Sequence, residues 1–317
     1  MMLRPAFLLA CPSFYEMTQP TRSFVLSRRP LQLALLLAVS LVLFWPALRE
    51  LKALSISDDR YAYLLLIPVN SAVVLYLDRE RVFSSLEISR TPRVTALLAG
   101  ALATFGFIGG LFAWNVLPLP SEFQLSIKVV FMLLVWAAAF ALCYGVPALK
   151  AAKFPFLLLL LMAPIPSPLM DKVVTGLQSG SADATYALFR LAGVPVFRTG
   201  INFELPLIGI QVAKECSSIH SGSALFIVSL LVGHLLLRSL PAKLCLTLLS
   251  IPIAMFTNAV RITSLWFLAT KVNVGFLYGN LHHNGGILFA LVALCILMGC
   301  LYLLRKFEDR RQFAEST

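Results

Sequence analysis

Eight apolar runs separated by clusters of charge constrain this chain more than any single motif does. They lie at about 31–48, 61–77, 94–116, 127–147, 154–170, 218–238, 243–270 and 285–304. Most are long enough to cross a hydrocarbon core about 30 Å thick at about 1.5 Å per residue. In lipid each run must satisfy its own backbone N–H and C=O groups, and a helix does so. Composition agrees. Of 317 residues, 59% are hydrophobic and 13% charged, against about 25% charged in a soluble domain. The sequence therefore predicts an all-α, polytopic transmembrane bundle of about eight spans.

The net charge of +11 raises nucleic acid as a partner. Basic residues also collect in the cytoplasmic loops of membrane proteins, and that explanation suffices, so no nucleic-acid partner is expected. If the N-terminus is inside, the larger share of Lys and Arg falls in short internal segments around Arg28 and Arg29, Arg79 and Arg81, Lys150 and Lys153, Arg238 and Lys243, and Arg305 to Arg311. This distribution predicts both termini in the cytoplasm. The expected organisation is a tail at 1–30, a membrane domain at 31–305 and a tail at 306–317.

One external segment, about 165–217, is unusually long. Apolar residues recur at three- and four-residue steps from Asp171 to Leu191, which predicts an amphipathic helix on the outer surface. Ala192–Val196 breaks it, and Phe203–Val212 reads as a short hairpin or extended strand. The run 154–170 contains Pro164, Pro166 and Pro168 and is expected to unwind at its outer end. The run 243–270 is expected to bend near Pro252.

Three polar points interrupt this apolar background. The first is Lys214-Glu215-Cys216-Ser217-Ser218-Ile219-His220. A free cysteine is most often a small buried hydrophobe. Cys216, however, falls at an expected helix N-terminus beside Lys214, and both features lower a thiol's pKa. The six cysteines match no zinc or redox spacing, and only Cys216 falls near the outer face. No disulfide, metal or cofactor is expected.

The second point is Arg261, inside the otherwise apolar Thr257–Thr263. A charge at the bilayer centre costs at least about 2.5–3.5 kcal/mol. Snorkelling to the surface is the bland explanation. The functional one is a cation aimed into the bundle, where it stabilises an oxyanion, with Asn258 three residues earlier on the same face. The third point is Leu281-His282-His283-Asn284-Gly285-Gly286, at the outer start of the last helix. It reads either as an ordinary helix entry or as the general base for a thiol. His220, four residues after Cys216, competes for that role. Charge-based topology puts Cys216, Arg261 and the histidine pair at one membrane level.

These stretches resemble the exosortase/archaeosortase family of membrane-embedded cysteine transpeptidases. The resemblance runs from about Asp58 to Arg305. Its carriers are Ala163-Pro164-Ile165-Pro166, Gly193-Val194-Pro195-Val196, Glu215-Cys216-Ser217-Ser218-Ile219, Asn258-Ala259-Val260-Arg261-Ile262 and Leu281-His282-His283-Asn284-Gly285-Gly286. The family's Cys, Arg, His set falls on Cys216, Arg261 and His282, with Asn258, His283, Ser217 and His220 as supporting candidates. Two motifs depart from the common pattern. Glu215-Cys216-Ser217-Ser218 stands where many members have Ala-Cys-Ser-Gly. His282-His283-Asn284 stands where many have Asp-His followed by Tyr-Gly-Trp.

The resemblance implies an enzyme of the bacterial cytoplasmic (inner) membrane whose active site faces the periplasm or exterior. Its partners would be membrane lipid and exported proteins with a C-terminal sorting tail: a short motif such as Pro-Glu-Pro (PEP-CTERM), one transmembrane helix and a basic end. The acyl group would pass to an acceptor nucleophile, in systems linked to surface anchoring or exopolysaccharide export. The rival from another class is a membrane transporter or a non-catalytic component of a polysaccharide export system. That rival predicts paired intramembrane charges along a route, or inverted repeats.

Overall fold

The computed structural model of the protein describes residues 28–83, 92–116, 121–206, 209–212, 219–273 and 286–316. Among them are twelve α-helices, and these described residues are 85% helical, as an all-α polytopic protein requires. The helices are α1 (Arg28–Leu43), α2 (Trp45–Ser57), α3 (Ile67–Leu77), α4 (Arg79–Phe83), α5 (Pro92–Ala113) and α6 (Ser121–Tyr144). They continue with α7 (Val146–Ala151), α8 (Lys153–Leu159), α9 (Ser167–Leu191), α10 (Ile219–Leu236), α11 (Leu240–Lys271) and α12 (Gly286–Ser316). A 3₁₀ turn, Asp59–Leu65, leads into α3.

Five of these stretches are long and apolar enough to cross a membrane, or up to seven if two bent pairs each count as one span. The stretch Ser221–Leu236 in α10 is apolar but shorter. Two sharp bends shape the bundle, one of them at the proline cluster where the sequence predicts unwinding. α1 and α2 meet at 73° where Pro46 stands in the first turn of α2. Proline is tolerated there because that N–H has no intrahelical partner. The run 154–170 is broken by the proline cluster: α8 and its 3₁₀ end stop at Met162, and α9 leaves at 96°.

Non-helical backbone at membrane depth survives only if its polar groups find partners, and here two hydroxyls supply them. Ser126 Oγ donates to the Pro164 carbonyl, and Tyr61 Oη donates to the Ile165 carbonyl at 2.7 Å. Arg60 secures the same corner. Its guanidinium donates to both Asp58 carboxylate oxygens at 2.7–3.0 Å and to Asp171 Oδ1 on α9 at 2.9 Å.

α9 is the amphipathic helix that the sequence predicts. Its inward stripe, Met170, Val174, Gln178, Ser181, Ala182, Thr185 and Phe189, is buried, and it packs along α11. Gly180 permits this approach: a Cβ there would lie 2.5 Å from Met255 Sδ. Beyond α9 a three-stranded antiparallel sheet forms from β1 (Phe197–Thr199), β2 (Asn202–Glu204) and β3 (Ile210–Gln211), in that order. The extended segment therefore begins earlier than the expected 203–212. Phe203 packs on Phe189 and, with Trp266 of α11, closes a small core beneath the sheet. The larger core joins α2, α6 and α9 around Phe44, Leu51, Met132 and Met170. α10, α11 and α12 share a third cluster built on Leu246, Ala254 and Leu297.

Candidate functional site

α11 is the axis of the site. Its 32 residues run continuously through Pro252, and α9, α10 and α12 all pack against it. Asn258 and Arg261, three residues apart, share one face. That face looks onto the first turns of α10 and α12, because α10 and α12 both begin at this level. The result is a small polar cavity lined by Ser221 and Leu225 of α10, Ala254, Thr257, Asn258 and Arg261 of α11, and Gly286, Phe289, Ala290 and Ala293 of α12. Its free interior is about 20 Å³, which is room for a single water.

Asn258 and Thr257 are buried, and Arg261 is half-buried. Thr257 turns its hydroxyl back to the Ile253 and Ala254 carbonyls at 2.9 and 3.2 Å, which leaves Asn258 and Arg261 as the cavity's strong polar groups on α11. Gly286 adds open space at the start of α12, since a Cβ there would meet nothing within 4 Å.

The approach to α10 is anchored. β3 pairs with β2. The next residue, Val212, donates its N–H to the Ile201 carbonyl at 3.0 Å. The Val212 carbonyl accepts from the buried Gln178 Nε2 of α9 at 3.1 Å. The chain thus leaves the sheet at a fixed point, and α10 begins at Ile219. Cys216, Ser217, His282 and His283 lie outside the described residues. His220 belongs to the first turn of α10, and its side chain also lies outside them. Of the predicted site residues, the structure brings Asn258 and Arg261 together in one cavity.

Beside this cavity, on the α9 side of α10, lies a larger and almost wholly apolar cleft of about 410 Å³. Met170, Val173 and Leu177 of α9 face Phe226 and Ile227 of α10 and Ile251 and Met255 of α11 across it. Ala254 belongs to the walls of both spaces. Gly176 lines the cleft with nothing within 4 Å of its would-be Cβ.

Beside Arg261, two further charged pairs lie partly inside the bundle, and sequence reasoning missed them. Lys128 of α6 is fully buried, and its Nζ donates to both carboxylate oxygens of Glu50 at 2.9 and 3.1 Å. His234 of α10 lies 2.8 Å from Asp78 Oδ2, and Phe154 stacks on its ring at 3.8 Å. Lys128 stands at the start of an apolar run, where a charge ordinarily marks the membrane edge. Only the helix partner 78 positions earlier in the chain shows that it points inward.

A polytopic helical bundle with a small polar cavity set at the helix starts, and a lateral apolar cleft beside it, defines an integral membrane protein with a site near one face. The chain matches the family described as transmembrane exosortase (Exosortase_EpsH) over residues 53–299. That is more than half of its length, and the chain belongs to this family. No curated protein and no solved structure matches it.

Proposed function

We propose that the protein is a cysteine-type peptidase or transpeptidase that cleaves the C-terminal sorting tail of exported proteins. The observation that carries this reading is the cavity holding Arg261 and Asn258, set at the starts of α10 and α12 in a chain of the exosortase family. Chain connectivity supports it. Cys216 is three residues before Ile219, and an extended chain spans at most about 3.6 Å per residue, so Cys216 stays within about 11 Å of the start of α10. His282 is four residues before Gly286 and stays within about 14 Å of the start of α12.

In the proposed reaction the tail helix of the substrate approaches laterally, beside the apolar cleft. The Cys216 thiolate attacks the scissile carbonyl carbon and forms the C–S bond, while the carbonyl electron pair moves to oxygen. The Arg261 guanidinium stabilises that oxyanion, and Asn258 helps to orient the guanidinium. As the tetrahedral centre collapses, the C–N bond breaks and His282 delivers the proton to the leaving amine. A thioester remains. An acceptor amine, or water, then attacks it with His282 as base and releases the thiol. His283 and His220 are the alternative bases, and Ser217 is a supporting hydroxyl. The site would face the periplasm or exterior of the cytoplasmic membrane.

The test is co-expression with a secreted reporter that ends in a short motif, a membrane helix and a basic tail. Shortening of the reporter with wild type and not with Cys216→Ala is the expected result. Removal of Arg261 or His282 is expected to have the same effect. Intact processing in all three variants, each present in the membrane at wild-type level, overturns the assignment. It would return weight to a transport or accessory role in polysaccharide export.

A further inference from the structure

The end of the bundle opposite Arg261 carries a second cleft, about 24 Å away along α11 by helix rise. It has a volume of about 490 Å³ and lies between the α10–α11 turn and the far half of α12. Its lining is amphiphilic. Ala242, Cys245, Leu304 and Phe307 supply an apolar wall, and Arg238 and Arg311 supply two guanidinium groups.

Depth in the membrane explains the division. The apolar stretch of α12 from Gly286 to Leu304 is about 28 Å long, which is close to the hydrocarbon thickness of about 30 Å. Arg305 and Lys306 follow at once, and Arg311 lies about 10 Å past Leu304. Arg238 stands in the turn between the end of α10 at Leu236 and the start of α11 at Leu240. The apolar wall is therefore at the edge of the hydrocarbon, and the arginines are at headgroup depth.

The lining holds one carboxylate, Glu308, against these two guanidinium groups, so its net charge is positive. Glu308 accepts from the Arg238 N–H at 3.0 Å, from the Ser239 N–H at 2.8 Å, and from the Ser239 hydroxyl. These bonds tie α12 to the turn and hold the cleft in a fixed shape. On the same stretch of α12, Arg305, Lys306 and Arg310 outnumber the single further carboxylate, Asp309.

We propose that this cleft binds an anionic phospholipid. The phosphate sits between Arg238 and Arg311, and an acyl chain lies along Ala242, Cys245 and Leu304. Guanidinium groups bind phosphate through paired N–H donors, and basic pockets between membrane helices are typical headgroup sites. An occupant that bridges α11 and α12 would brace the helices that carry the polar cavity.

The test uses the full-length protein, delipidated in a neutral detergent and titrated with phosphatidylglycerol, phosphatidylcholine or inorganic phosphate while its thermal midpoint is followed. Phosphatidylglycerol is expected to raise the midpoint saturably, and the other two are not. Arg238→Gln/Arg311→Gln is expected to weaken the apparent affinity at least about tenfold. Lys150→Gln/Lys153→Gln removes the same charge elsewhere and is expected to leave it unchanged. An equal response to phosphatidylcholine overturns the anionic headgroup, and an equal response to phosphate overturns the lipid. Equal weakening in the lysine variant shows diffuse surface attraction and overturns the site. If the arginine variant does not fold, the three titrations of wild type decide, together with the phosphatidylglycerol retained in native mass spectra: a retained lipid supports the site and none overturns it.

Discussion

The pair between Lys128 and Glu50 makes a directional prediction, because its two members are buried to different extents. The Lys128 side chain is 0% exposed and that of Glu50 is 41% exposed. Breaking a buried pair from one side costs about 3–5 kcal/mol when the remaining charge has no solvent. Glu50→Ala leaves the buried ammonium in that condition, so a loss of about 3–5 kcal/mol is expected. Lys128→Met leaves a carboxylate that water already reaches. Methionine is unbranched and fills an irregular gap, so the loss should fall near the value for an exposed pair, about 0–1 kcal/mol. The double variant should resemble Lys128→Met, so the coupling energy between the sites equals the Glu50→Ala loss, about 3–5 kcal/mol. Unfolding by sodium dodecyl sulfate in mixed micelles, followed by tryptophan fluorescence for all four proteins, measures this. Trp136 is a suitable reporter, since it donates to Ser40 Oγ at 2.8 Å between α6 and α1. Equal losses in the two single variants, or a Glu50→Ala protein as stable as wild type, would refute the reasoning.

Glycine positions in α5 separate packing from propensity. A Cβ at Gly109 would lie 2.7 Å from Phe44 Cζ and 2.8 Å from Phe131 Cβ, whereas one at Gly100 would meet nothing within 4 Å. Gly109→Ala is expected to cost about 1–3 kcal/mol through overpacking. Gly100→Ala should gain up to about 1 kcal/mol, and the same unfolding assay ranks the two. At Asp58 the Arg60 guanidinium, by hydrogen bonding, holds the carboxyl below the ordinary carboxylate range. The stability it contributes is present above pH of about 3.9 and is lost as pH falls through its folded-state value. Asp58→Asn should therefore flatten the acid limb of the stability profile without altering its slope near neutrality. For Arg261 the proposed oxyanion role predicts a fall in processing rate of about 10²–10³ in Arg261→Gln. Arg261→Lys should recover part of it, as judged by the fraction of reporter shortened over time.

The helical bundle was legible because each apolar run must be helical in lipid whatever its neighbours are. The amphipathic α9 was legible for a related reason: Met170, Val174 and Phe189 recur on one face. The bends were legible only in part. Pro164, Pro166 and Pro168 announce a break, yet the angle of α9 depends on Ser126 and Tyr61, distant in sequence, whose hydroxyls donate to the freed carbonyls. α2 was less legible, because Arg49, Glu50 and Lys52 crowd the end of the first apolar run. Its buried face, Ala47 and Leu51, is too short a signal to outweigh them. Arg261 and Asn258 stood out because polar groups are rare in such a helix. Lys128 did not, since a charge near the start of an apolar run is ordinary unless a partner such as Glu50 draws it inward.

Ala254 lies in the wall between the polar cavity and the apolar cleft, and a Cβ added at Gly222 would stand 3.6 Å from its methyl group. One side chain thus sets the dimensions of two neighbouring chambers. A larger residue there would narrow both at once, while changes at Gly176 or Gly286 touch one chamber each. The two chambers can be retuned separately from their outer walls, but not from the shared one. Diversification of what each accepts should therefore run through α9 and α12, with position 254 held small.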